Sequence, residues 1–204
     1  MPHGGLALLN AESVNRNKLR CNSVMRRSKC LLSDFNLLAS TMRGNEHQMI
    51  YELEFLLKES GDPEAKVSKT GIRGLVVAKT TLNPVEAIQK FRGILYERPY
   101  EFRYSLRIIP IQKVVPTELE QIKAATAELA AQLSGAESFR VTVEKRFTSL
   151  HSRDLIEAVA TKIKNKVDLE KPDKTFLIEV LGAYTGISLL KATDYISVMK
   201  EKML

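Results

Sequence analysis

The stretch FRVTVEKRFTSLHSRDLIEAVATKI (residues 139–163), followed by VDLEKPDKTFLIEVLGAYTGISLL (167–190), is where the period of the apolar residues changes most sharply. Phe139, Val141 and Val143 alternate with Arg140, Thr142 and Glu144, the period of two expected of a strand with one face packed and one open. Leu155, Ile156, Val159 and Ile163 then recur at helical spacing, with Ser152 placed to cap the helix that carries them. TFLIEVLG and TGISLL read as two strands closing around Gly182, and a short amphipathic tail helix with Tyr195, Ile196 and Met199 is expected to finish the chain.

Upstream, Thr117 and Glu120 have the spacing of a capping box, and Leu119, Ile122, Thr126, Leu129 and Leu133 predict a helix ending at Ser134 and Gly135. Before it lies EFRYSLRIIPIQKVVP, an extended run in which Pro110 and Pro116 predict a bend or a sheet edge. Earlier still the pattern is strand, helix, strand, strand, helix, strand, a ferredoxin-like order. FNLLAS forms the first strand, and Met49, Ile50, Leu53, Leu56 and Leu57 make a helical stripe stopped by Gly61, Asp62 and Pro63. AKVSKT and GLVVAKT pair across Gly71 and Gly74, and Asn83 caps a helix opened by Pro84, with Val85, Ile88, Phe91, Ile94 and Leu95 on its buried side.

The expected class is α+β: a leader over 1–33, a ferredoxin-like domain over 34–115 and a second α/β domain over 116–204 that includes the tail helix. At 204 residues either domain buries enough apolar surface to fold without metals or disulfides. The two cysteines, Cys21 and Cys30, have no metal or redox spacing and read as reduced thiols, so a cytoplasmic setting is expected. No apolar run approaches the roughly 20 residues of a membrane span.

The net charge of +7 is unevenly spread. The leader holds six bases against one acid, a composition shared by disordered arms, transit peptides and wrongly extended starts, with Met25 and Met42 as alternative initiators. Within the folded part, residues 66–107 hold nine bases and three acids, 44–65 hold one base and six acids, and 140–166 hold seven bases and three acids.

The blocks at 139–163 and 167–190 resemble the THUMP domain, an RNA-binding module of tRNA-modifying enzymes. The resemblance rests on an extended run ending in Lys145 and Arg146, a helix starting near Ser152, and the VDL-x-x-PD turn at Val167 to Asp173 leading into paired strands. The upstream unit with RIIPIQKVVPT looks like the domain that precedes THUMP. Within the family the likeness extends to the stand-alone adaptor of tRNA cytidine N4-acetylation. The resemblance therefore implies tRNA and a tRNA cytidine acetyltransferase as partners, with no activity and no cofactor in the chain itself. It also implies a grip on the acceptor end of tRNA, by shape more than by sequence.

The sequence has no G-x-G-x-x-G, G-x-x-x-x-G-K-[ST], H-E-x-x-H or C-x-x-C, so common nucleotide and metal signatures are missing. Ser149, His151 and Asp154 are sequence neighbours at a helix start, and such neighbours rarely converge as a triad. Ser149, His151 and Arg153, around the helix's unpaired N–H groups, suit an anion seat better, after the strand residues Lys145 and Arg146. If that helix continues, Arg153 and Lys164 fall within about 20° of each other on its wheel, away from the apolar stripe. Lys69, Arg73, Arg107 and Lys113 complete the expected RNA surface, by resemblance. A protein-interaction scaffold that touches RNA incidentally, or an RNA-binding subunit of another tRNA-modifying enzyme, are the alternatives.

Overall fold

The computed structural model describes residues 31–161 and 163–203, so Cys21, Cys30, Met25 and the leader's cations lie outside the described residues. Leu31 and Leu32, which the sequence assigns to the leader, pack against buried apolar side chains.

Leu37 and Ala39 point to one face of β1 (Leu37–Thr41) and Leu38 to the other, and all three are buried. A strand with two apolar faces belongs inside a sheet covered on both sides. β1 lies between β3 (Leu75–Lys79) and β4 (Ser105–Pro110), with β2 (Lys66–Lys69) beyond β3 and the two-residue β9 (Ile196–Ser197) beyond β4. Every pairing in this sheet is antiparallel.

α1 (Glu46–Glu59) and α2 (Pro84–Glu97) cover one face, packing Met49, Leu53, Ile88 and Phe91 onto Leu37, Val76 and Ile108. Asn83 caps α2 as the sequence predicts, its side chain accepting from the amides of Val85 and Glu86. Gly74 is needed at the β2–β3 turn, since its φ is 79° and a Cβ there would stand 2.9 Å from the carbonyl oxygen of Thr41.

The second sheet runs β5 (Lys113–Pro116), β8 (Tyr184–Leu190), β7 (Lys174–Leu181), β6 (Phe139–Arg146), with β6 and β7 parallel. α3 (Leu119–Ala130) and α4 (Ser152–Ala160) cover one of its faces, α4 serving as the crossover that parallel strands require. Its other face turns toward the first sheet, so Leu177, Leu181 and Leu190 meet Leu38, Val77 and Ile109. The result is an α+β molecule of two sheets stacked between two helical layers.

The bend and the sheet edge expected of the proline-bearing run are present, and several other local expectations are corrected. The extended run splits into β4 and β5, which lie in different sheets; the chain crosses at Ile111, whose amide bonds Asn36, while the next amide, of Gln112, bonds Ile187. Thr117 does not cap α3, because its amide is held by Ala183 and its hydroxyl by Thr185; Glu118 stands at the cap. Ser152 is the first residue of α4, not its cap, which is His151. Ile196 lies in β9, and only Val198–Glu201 forms the tail helix, α5. That tail belongs to the first sheet and its core, not to the second unit, because Ile196 and Val198 bury themselves under α2.

Candidate nucleic-acid interface

β6 sorts its side chains by pleat. Phe139, Val141 and Val143 face α3 and α4, while Arg140, Thr142, Glu144 and Arg146 share the face turned toward the first sheet. Lys145 and Arg146, grouped together by the sequence, therefore diverge. Lys145 leans toward the helices, its Nζ donating to the carbonyl of Leu150 at 2.8 Å. Arg146 turns the other way and reaches Glu179 at 3.1 Å.

Glu179 is 2% exposed, and burial pushes its carboxyl up to about 7, against the pull of the Arg146 and Arg107 guanidinium groups. Arg146 thus acts as a counter-charge within the molecule. Lys113 is likewise engaged, in an ion pair with Glu128 of α3.

The segment joining β6 to α4 gathers most of the remaining candidates. Lys145, Ser149, His151 and Arg153 are all exposed within nine residues of chain. His151 has an extended backbone at the cap, and its side chain makes no capping hydrogen bond to α4. Among the described residues Arg153 is held by Glu157 one turn on, at 3.3 Å, with its side chain 86% exposed. α4 stops at Ala160, with Thr161 as its C-cap, so Lys164 is exposed but lies beyond the helix and the shared wheel position with Arg153 is lost.

Between the two sheets opens a cleft of about 240 Å³, lined by Arg107, Arg140, Thr142, Lys171, Thr175 and Tyr195 among others. The Arg107 guanidinium lies 4.6 Å from the Tyr195 ring centroid. Arg140 Nε is buried and has no hydrogen-bond partner among the described residues. Sequence reasoning missed Arg140, although its place six residues before Arg146 on one strand was a signal that both share a face. Lys69 and Arg73 sit apart, on the edge hairpin, with β3 and β1 between β2 and the strand that carries Arg107.

The VDL-x-x-PD segment is built by its two aspartates. Asp168 accepts the amides of Glu170 and Lys171, and Asp173 accepts the amide and hydroxyl of Ser138, ties that hold both carboxyls below the usual carboxylate range. Asp168 thereby closes the turn on itself, and Asp173 ties it to Ser138, next to the first register pair Phe139 and Lys174 of the parallel strands.

Comparison with known proteins finds no match among curated proteins. Among solved structures, the chain is similar to PH1313 from Pyrococcus horikoshii (19% identity, TM-score 0.57, 77% of this chain and 55% of that one). It is also similar to TrmN from Thermus thermophilus (19%, 0.51, 75% and 44%) and to a 4-thiouridine synthetase in complex with RNA and ATP (11%, 0.51, 80% and 42%). These identities establish shared fold, and the chain spans about half or less of each relative's length. The expectation of a stand-alone, non-catalytic adaptor for cytidine acetylation is overturned, since the solved chains that share this fold include a synthetase and the matched region makes up only 42 to 55% of their length. No helix among the described residues is long and apolar enough to cross a membrane. Residues 116–190, comprising α3, β6, α4, β7 and β8, are a THUMP domain.

Proposed function

We propose that this chain is the RNA-binding part of a catalytic tRNA-modifying enzyme, with the first unit a ferredoxin-like partner of the THUMP domain. The single observation that carries this is the exposed connection from β6 to α4 within that domain, where Lys145, Ser149, His151 and Arg153 are all exposed and the cap residue His151 leaves the helix start without a side-chain cap. Amides at a helix start favour phosphate, and nearby cations add to that preference. Arg153 by itself is mildly disfavoured there, by roughly 0.3 to 1 kcal/mol, and a bound phosphate reverses the sign. Arg107 lines the cleft and extends the surface toward the first unit, with Lys164 beyond α4; Lys69 and Arg73 stand apart on the edge hairpin, and Lys113 and Arg146 drop out because acids already hold them.

Binding through four to six phosphates gives a slope of log K against log salt of about −3 to −5. Arg153→Glu weakens tRNA binding and leaves the melting temperature unchanged, because the side chain is mostly in water. A flat salt response together with an unaltered affinity for the Arg153→Glu protein would sink the reading. Mass spectrometry of tRNA nucleosides from cells lacking the chain then names the reaction, as methyl, thio or acetyl transfer, by the modification that disappears.

A further inference from the structure

Phe147 is the one non-glycine residue with positive φ among those described, at 55°, and its side chain is 79% exposed. An L residue of this bulk avoids that backbone region, and an apolar ring in water does nothing for the core. Folding would be served better by glycine at this point. The site is nonetheless firmly built. The carbonyl of Arg146 accepts the amide of Gly182 at 2.9 Å, and the Phe147 Cβ lies 4.0 Å from where a Cβ on Gly182 would be, so the β7–β8 turn backs the residue. Exposed Lys145 precedes it, and Ser149, His151 and Arg153 follow it.

We propose that Phe147 is a stacking platform for an unpaired base of the bound RNA, with the flanking cations holding the phosphates on either side; this rests on the RNA-binding reading above and deepens it. An aromatic face takes a base only where that base is not already stacked in a duplex, so the substrate class is RNA with a single-stranded segment beside a helix. The ring reads no hydrogen-bonding edge and so accepts any base. The exposed cations Lys145 and Arg153, one on either side of the ring in sequence, suit the phosphates next to a stacked base.

The test uses the full chain and two RNA hairpins, alike except that one is blunt and the other ends in a short single-stranded overhang. Phe147→Ala loses about tenfold in affinity for the overhang hairpin and nothing for the blunt one, and Phe147→Trp keeps both. Phe147→Gly, freed of the backbone strain, melts at or above the wild-type temperature yet loses overhang affinity as Phe147→Ala does. Equal affinity of wild type and Phe147→Ala for the overhang hairpin, or equal losses for both hairpins, overturns the stacking role while the RNA-binding reading stands on its salt dependence. Wild type that binds neither hairpin overturns both.

Discussion

Glu179 sits near the end of β7, and its burial outweighs the neighbouring guanidinium groups in deciding its proton. Its folded pKa, about 7, lies above the ordinary 4.5, so protonation favours the folded state. That contribution is complete below about pH 4.5 and is lost as pH rises through 7. Glu179→Gln is therefore expected to stabilise the protein at pH 8, by up to roughly 3 kcal/mol, and to change little at pH 5. Denaturant titrations at the two pH values check this, and an identical difference at both would remove the buried carboxylate as the cause. The divergence of Lys145 and Arg146 was available from the sequence, because residues adjacent in a strand point to opposite faces. What the sequence did not show is that an acid 33 residues on takes up Arg146.

Helix α1 reaches across to the start of β4 through Glu52, whose carboxylate accepts the amides of Arg103, Tyr104 and Ser105 at 2.8, 2.8 and 3.0 Å. The first two amides lead into β4 and the third opens it at a buried residue, so the carboxylate serves three successive donors at the strand's start. Glu52→Ala is expected to cost about 2 to 4 kcal/mol, more than an exposed helical glutamate, and a thermal or chemical melt measures it. A cost below about 0.5 kcal/mol would show that water replaces the carboxylate. Helical stripes and turn residues were legible where the signal was local: Asn83 with Pro84, the stop at Gly61, the glycines of the β2–β3 turn. The role of Thr117 was not, because Ala183 and Thr185, partners far along the chain, outcompeted the local cap.

The chain crosses between its two sheets at Ile111 and returns at its end, where β9 pairs with β4 and Arg92 of α2 bonds Glu201 at 2.9 Å. With a shared apolar layer and a returning tail, the two units are expected to unfold in a single calorimetric transition. Deleting residues 195–204 exposes the seat of Ile196 and Val198, so the first unit then melts separately and earlier. Two resolved transitions in the intact chain would show that the tail does not couple them. Local periodicity and turn chemistry, being short-range physics, settled the kinds and order of most elements, and the two sequence blocks with their motif spacing marked the THUMP domain. Which cations stay exposed to a polyanion, which are neutralised by buried acids, and how the tail closes the first sheet were decided by pairings between residues dozens of positions apart, because burial and Coulomb attraction depend on distance in space and not on distance along the chain.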